Sequence, residues 1–391
     1  ASDADAYDLS RDQVHLIMEY ERGARFHQVE SPRANRFILT NDLANADLAG
    51  LAPLFSALRR DPLRADSLVL SGLHMLESHQ SAQRDRLLTA CVDGIEEWLL
   101  RRSDALAATA EAPRDADTLV HLELASMASC SLWQAILARV AWRMHSLGVN
   151  EQELASAYSA LGGDPKLFGA EAAERAAHRS LPPTRDAARA GLPEARLPAA
   201  YWPPATLRRP TPAQLAAAAV HVLHTLHQHG RGDAHARLRR LHVHSLAFHL
   251  VAQIEPANAH VQEPTLAAWR RQEGVPAPPQ WTEADRVADA VAAGAFSASA
   301  QACGEADTGR LDVEQLELHM PKHFDVPTSA EGTRRLTLRG ERAVYHWVYE
   351  GATGLPDVHF WLSPVLVCKH PERTVGLGDC ITATAIARSV Y

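Results

Sequence analysis

The chain has 391 residues, enough for one large domain or two smaller ones, and its 46% hydrophobic content suits a buried core. The net charge of −8 is spread in mixed signs, with no run of Lys and Arg interleaved with aromatics, which argues against a nucleic-acid partner. No window approaches about 18 uncharged apolar residues, so the sequence predicts a soluble globular protein with no membrane-inserted helix.

In chain order, Val14, Leu16 and Met18 alternate with polar residues, and a second extended piece, Arg36 to Leu39, follows a turn around Gly23 and Pro32. These predict two antiparallel strands. Short apolar runs then alternate with helical periods: Leu68 to Leu70 before a helix over 81–100, and Leu119 to Leu124 before a helix over 132–147. That alternation predicts a parallel sheet covered on both faces. A helix over 212–228 precedes a strand over 241–245, and a helix over 283–293 precedes a polar hairpin-like stretch over 334–349. A strand at 365–367 leads into Val375-Gly376-Leu377-Gly378-Asp379 and a helical run over 381–390. Two Ala- and Pro-rich stretches, near 162–210 and 256–279, read as insertions or surface loops. The five cysteines, Cys91, Cys130, Cys303, Cys368 and Cys380, show no C-x-x-C spacing, so no zinc knuckle or disulfide framework is predicted, although one distant pair remains open.

A Gly-x-Gly turn feeding a helix aims unpaired backbone N–H groups and the positive end of the helix dipole at one point, which binds an anion. An Asp at the rim of such a site makes sense as a proton acceptor for a group attacking bound phosphate, which points to phosphoryl transfer. The same residues also fit a plain tight turn with an N-cap. His121 and Glu123 share one face near the C-terminal end of a strand, where ligands collect in open α/β sheets. Asn150 and Glu153 fit a capping box, and Glu123 and Glu153 together can hold magnesium, a hard cation that keeps several waters; a hydrogen-bonded pair and a simple cap are the plain alternatives. Of the 21 histidines, His221, His224, His227 and His229 line one helix and read as a solvent face in preference to a metal site. One of His242, His244 and His249 can face a nucleotide. The sequence has no G-x-x-x-x-G-K-[ST] loop, H-R-D loop or G-x-S-x-G elbow.

Taken together, these pieces resemble the ADP-dependent glucokinase family, in its eukaryotic branch. The resemblance lies in 14–20 (VHLIMEY), 34–38 (ANRFI), 70–75 (LSGLHM), 121–127 (HLELASM), 147–154 (LGVNEQEL), 242–244 (HVH), 291–295 (VAAGA), 364–369 (PVLVCK) and 373–379 (RTVGLGD). It implies an α/β ribokinase-like fold, with a mostly parallel central sheet flanked by helices and a smaller sheet-containing lid. Lid strands are expected over 1–45 and a large nucleotide-binding domain over 46–391. The implied reaction carries the β-phosphate of ADP to the 6-hydroxyl of glucose, with Mg2+ as cofactor and AMP and glucose 6-phosphate as products. By position, Asp379 becomes the base, and Val375 with the Gly376-Leu377-Gly378 amides the anion hole. Arg36 and His244 become phosphate or nucleotide contacts, and His74 a sugar-side residue. Glu123, Glu153 and Asp379 become the metal's carboxylates. A monomer is expected.

The departure is at the start. Family members carry a long stretch ahead of the segment matching Val14, including an Asn-x-x-x-Asp sugar clamp and a Gly-Gly-Asn-Ala segment, and neither occurs here. A partial sequence is therefore expected. The rival readings are a nucleotide-binding remnant without a sugar site and an ADP-dependent phosphofructokinase.

Overall fold

The structure is a computed structural model that describes residues 14–20, 23–27, 29–30, 35–41, 43–65, 67–108, 119–127, 129–168, 210–254, 283–303, 311–340, 343–369, 371 and 376–390. Most of the two Pro-rich stretches, and Val375, lie outside these residues. The N-terminal alternation forms a ribbon in which β1 (Val14–Tyr20) and β4 (Asn35–Asn41) pair antiparallel, Val14 opposite Asn41 and Tyr20 opposite Asn35. A small hairpin of β2 (Arg25–Phe26) and β3 (Val29–Glu30) lies between them in the chain.

Helices α1 (Leu43–Ala46) and α2 (Leu51–Arg60) lead into a seven-stranded sheet. Its parallel half comprises β5 (Ser67–Leu70), β6 (Leu119–Glu123), β7 (Ser146–Asn150) and β8 (Arg240–His244). Parallel neighbours need crossovers. Helix α3 (Ser81–Ala108) supplies the first, α4 (Cys130–Arg139) the second, and α5 (Glu151–Ala160) with α6 (Pro212–His229) the third. The connection after β8, residues 245–247, is too short for a crossover, so β9 (Phe248–Ile254) must return antiparallel. This strand has no counterpart in the sequence reading. Every one of its residues is buried, which erases the alternation that reveals a strand.

Beyond it come α7 (Glu283–Ala302), β10 (Leu316–Leu318), β11 (His323–Pro327), β12 (Thr333–Thr337), β13 (Tyr345–Tyr349), β14 (Val358–Pro364), β15 (Leu366–Cys368) and α8 (Leu377–Val390). The order β13-β14-β9-β8-β7-β6-β5 makes the sheet mixed, parallel on one side of β8 and antiparallel on the other. The stretch expected as one hairpin over 334–349 divides between two pairings, β12 with β11 and β13 with β14. The helix expected over 132–147 stops at Arg139, because Ser146 to Val149 are buried on both sheet faces and read like a buried helix in periodicity alone. Trp98, Trp133, Leu122, Leu147 and Val243 belong to one core cluster, and Val251, Val287, Val291 and Trp361 form a second against α7.

The histidines of α6 correct the solvent-face expectation. His221, His224 and His229 each donate through Nε2 to a backbone carbonyl, of Leu161 at 3.1 Å, Pro356 at 2.9 Å and Ala138 at 3.1 Å. The distant cysteine pair exists as Cys303–Cys368, joining the end of α7 to β15. No helix among the described residues is long and apolar enough to cross a membrane.

His145, half-buried, and His249, fully buried, make the fold acid-sensitive. Burial, helped by Arg237 and Arg239, holds His145 down at about 4, and its Nδ1 accepts from Val120 N at 3.1 Å, which a proton there would break. Burial holds His249 at about 3. Above about pH 6.5 both rings are neutral folded and unfolded. As pH falls, the unfolded chain takes up protons that the folded one refuses, so stability drops from pH 6.5 towards pH 3–4. The expected loss is about 2 kcal/mol from each ring by pH 5, read by urea denaturation at pH 7 and pH 5, with Glu153, held at about 7 in the fold, gaining its proton over the same range and offsetting about one ring's share. A midpoint unchanged between the two would contradict it.

Candidate active site

The alternation of β6 puts His121 and Glu123 on one face, and the glycine of β7 makes room for them. A Cβ on Gly148 would lie 1.8 Å from Glu123 Oε2 and 2.8 Å from His121 Nε2. His121 bridges Ser146 Oγ and Glu123 Oε2, each at 3.0 Å, while His244 Nε2 reaches Glu123 Oε1 from β8 at 2.8 Å. Burial favours the neutral form of Glu123, but hydrogen bonds from both imidazoles and their charge overcome it and hold the carboxyl at about 2. Burial likewise opposes charging of His244; the bond and charge of Glu123, with Glu153 and Asp379, raise its pKa nonetheless. Both shifts favour the imidazolium–carboxylate form of the pair.

At the end of β7 the chain turns into α5 through the expected capping box. Asn150 Oδ1 accepts from the amides of Gln152 and Glu153, while Glu153 Oε2 accepts from Asn150 N at 2.8 Å. Glu153 Oε1 also takes bonds from Asn150 Nδ2 at 2.7 Å and Ser126 Oγ at 3.2 Å. Burial pushes Glu153 up to about 7, the charge of Glu123 adding to it against the hydrogen bonds. The cap therefore engages both oxygens of the Glu153 carboxyl.

Helix α8 brings the glycine turn to this cluster. Gly376 has φ +73°, the left-handed region that favours glycine, and the first helical bond runs from Cys380 N to Gly376 O at 2.9 Å. The amides ahead of it, of Leu377, Gly378 and Asp379, are those an α-helix leaves unpaired. Gly378 rests on the His244 ring: a Cβ there would sit 2.5 Å from Cε1 and 2.7 Å from Nδ1. Asp379 is exposed in the first turn of the helix.

A family model described as "ADP-specific Phosphofructokinase/Glucokinase conserved region" matches residues 2–192 and 275–388. The chain belongs to this family. It is 31% identical over 378 residues to the ADP-dependent glucokinase of Bos taurus and 24% identical over 384 residues to a probable ADP-dependent glucokinase of Caenorhabditis elegans. These matches take in 96% and 98% of the chain but 57% and 60% of the relatives, so the chain spans under two thirds of their length. Among solved structures, an ADP-dependent kinase in complex with fructose-6-phosphate and ADPβS matches with TM-score 0.52 and 17% identity, over 97% of this chain and 66% of that one. A last common ancestor of ADP-dependent phosphofructokinases from Methanosarcinales matches with TM-score 0.50 and 17% identity, over 97% and 63%. The shared feature at that identity is the ADP-dependent kinase fold, the α/β fold expected from the sequence.

Of the site residues inferred from sequence, the structure draws together Glu123, His244 and Gly378, with Leu377 and Asp379 beside them in the first turn of α8. The charges of Glu153 and Asp379 are felt at His244. Arg36 sits on β4 opposite Glu19, apart from the main sheet. His74 follows β5 in the 3-10 turn Leu73–Ser78; its Nδ1 is buried without a hydrogen-bond partner among the described residues, and burial lowers its pKa against the charge of Glu77. No group of three His, Cys, Asp or Glu side chains among the described residues is arranged to cage a metal. Sequence reasoning missed Ser126, Ser146 and Gly148. Only Gly148 left a signal, an isolated glycine inside a strand, which marks a close approach.

Proposed function

We propose that the protein transfers the β-phosphate of ADP to the 6-hydroxyl of glucose, giving AMP and glucose 6-phosphate. The observation that carries this is the seating of Gly378 on His244, itself bonded to Glu123, which brings an anion-binding helix N-terminus against a buried carboxylate at the C-terminal ends of parallel strands.

In this reading the amides of Leu377 and Gly378 hold the phosphate that is being transferred, and Asp379 at their rim accepts the proton of the attacking hydroxyl. The bond from the sugar oxygen to the β-phosphorus forms as the bond to the α–β bridging oxygen breaks, and AMP leaves with that electron pair. His244, held in place by its bond to Glu123, supports the helix N-terminus from beneath, and that carboxylate favours its protonated form. Arg36 is assigned to the phosphates from the ribbon and His74 to the sugar side, both by family position.

Magnesium fits this site through its waters. The oxygens of Glu123 and Glu153 already accept hydrogen bonds from His121, His244, Asn150 and Ser126, yet each carboxylate has about four lone-pair sites, leaving hard-oxygen capacity for metal-bound water. Glu123 and Glu153, with Asp379, would thus be the carboxylates that hold the hydrated ion. When bound, magnesium supplies neutralisation of charge on the phosphate oxygens.

Glucose is favoured over fructose 6-phosphate because a second phosphate needs further basic groups, and the relatives with the higher identity are named glucokinases. The test is a donor and acceptor matrix. In a full-length version, ADP with glucose is expected to outpace ATP with glucose, and ADP with fructose 6-phosphate, by at least about tenfold, since a site that seats the β-phosphate at the glycine turn leaves no room for another. Equal rates with ADP and ATP would move the protein to an ATP-dependent reading.

A further inference from the structure

On the sheet face that carries His244, and on the helix covering it, four buried polar atoms have no hydrogen-bond partner among the described residues: both ring nitrogens of His242, Nε2 of His249 and Oγ1 of Thr382. Their residues are 1%, 0% and 2% exposed. Leaving such atoms unpaired is costly, and buried polar groups in native proteins are almost always satisfied.

They lie close together. The His242 and His249 rings stack with centroids 5.7 Å apart. A Cβ on Gly294 of α7 would lie 3.3 Å from His249 Nδ1 and 2.7 Å from the carbonyl of Ile381, so α8 passes His249 beside Thr382. Gly378 rests on His244, and Thr382 is four residues, about 6 Å, further along α8. His242 lies two residues, about 6.6 Å, back along β8 on the same face as His244. Helix α8 thus runs from the His244 ring at Gly378 to the neighbourhood of His249 at Ile381, with Thr382 the next residue along it and His242 stacked on His249.

One hydroxyl cannot serve three imidazole nitrogens. A neutral imidazole offers one donor and one acceptor, whereas water offers two of each and typically makes three bonds inside a protein. Burial, with the charges of the neighbouring histidines and Arg240, keeps His242 neutral.

We propose that an internal water, bound by His242, His249 and the Thr382 hydroxyl, tethers α8 to the sheet one turn behind Gly378 and Asp379, making His242 and Thr382 positioning residues for phosphoryl transfer. The positioning role rests on the reading of Asp379 as the base; the water seat does not.

Thr382→Val keeps the side chain's shape and removes its oxygen. An unpaired hydroxyl replaced this way would leave the melting temperature unchanged or raise it. The expected result is a fall of roughly 2 °C and, measured well below melting, a turnover about tenfold lower, with Thr382→Ser restoring most of both. A high-resolution crystal structure of the protein is expected to show the water within hydrogen-bond reach of both Thr382 and His242. Direct contact between these two residues without water, or a melting temperature unchanged or raised in Thr382→Val, overturns the seat. An intact seat with turnover unchanged in Thr382→Val overturns the positioning role. Failure of the base reading shows separately, as activity retained by Asp379→Asn.

Discussion

In a complete chain, Asp379→Asn is expected to lower turnover by roughly a hundredfold or more while ADP affinity stays within a few-fold. The amide is nearly isosteric with the carboxylate, so the N-terminus of α8 and its unpaired amides stay in place, and the phosphate contacts assigned to them survive. What disappears is the acceptor for the hydroxyl proton, which matters in the transition state and not in the ground state. Pre-steady-state kinetics with ADP and glucose separate the two effects. Turnover within about tenfold of the parent would show that Asp379 is a first-turn helix residue and no more.

Gly148→Ala is expected to abolish most activity and to cost about 1–3 kcal/mol of stability, although it adds only a methyl group. That methyl would sit 1.8 Å from Glu123 Oε2, within a fully buried stretch of a central strand, so the carboxylate must leave its place between His121 and His244. Activity that remains should require more magnesium. In a Glu123→Ala background the clash with the carboxylate is gone, and the same substitution should cost distinctly less, its residual penalty set by His121 Nε2 at 2.8 Å. A double-mutant cycle by chemical denaturation reads this directly, and additive costs would mean that Gly148 and Glu123 do not meet.

The parts of this fold that follow a local rule were legible before any coordinates. Asn150 and Glu153 form the capping box that their spacing predicts, and β1 pairs with β4 as the alternation around Val14 and Arg36 requires. The glycine turn opens a helix where its pattern said it would, four residues earlier than the helical run alone suggested. What failed was whatever tertiary burial conceals. Strand β9 shows no alternation because both its faces are covered, and the end of α4 was blurred into β7 for the same reason. The histidines of α6 looked like a polar stripe, yet three of them bond to carbonyls 60 to 132 residues away in sequence, which no local pattern encodes. Gly378 and His244, 134 residues apart, were both placed at the phosphate site by resemblance, but no local pattern announces that the glycine rests directly on the imidazole ring.

The change of strand direction after β8 has a consequence for how the site comes apart. A parallel strand there would have required a crossover helix lying over β8, covalently continuous with the sheet. Instead that place is taken by α8, the last described helix of the chain, which leans on α7 and touches β8 through side chains and backbone contacts alone. The corner proposed for catalysis is therefore held to the sheet by packing and not by strand hydrogen bonds, so its opening is expected to follow a local equilibrium of its own while the seven strands stay paired.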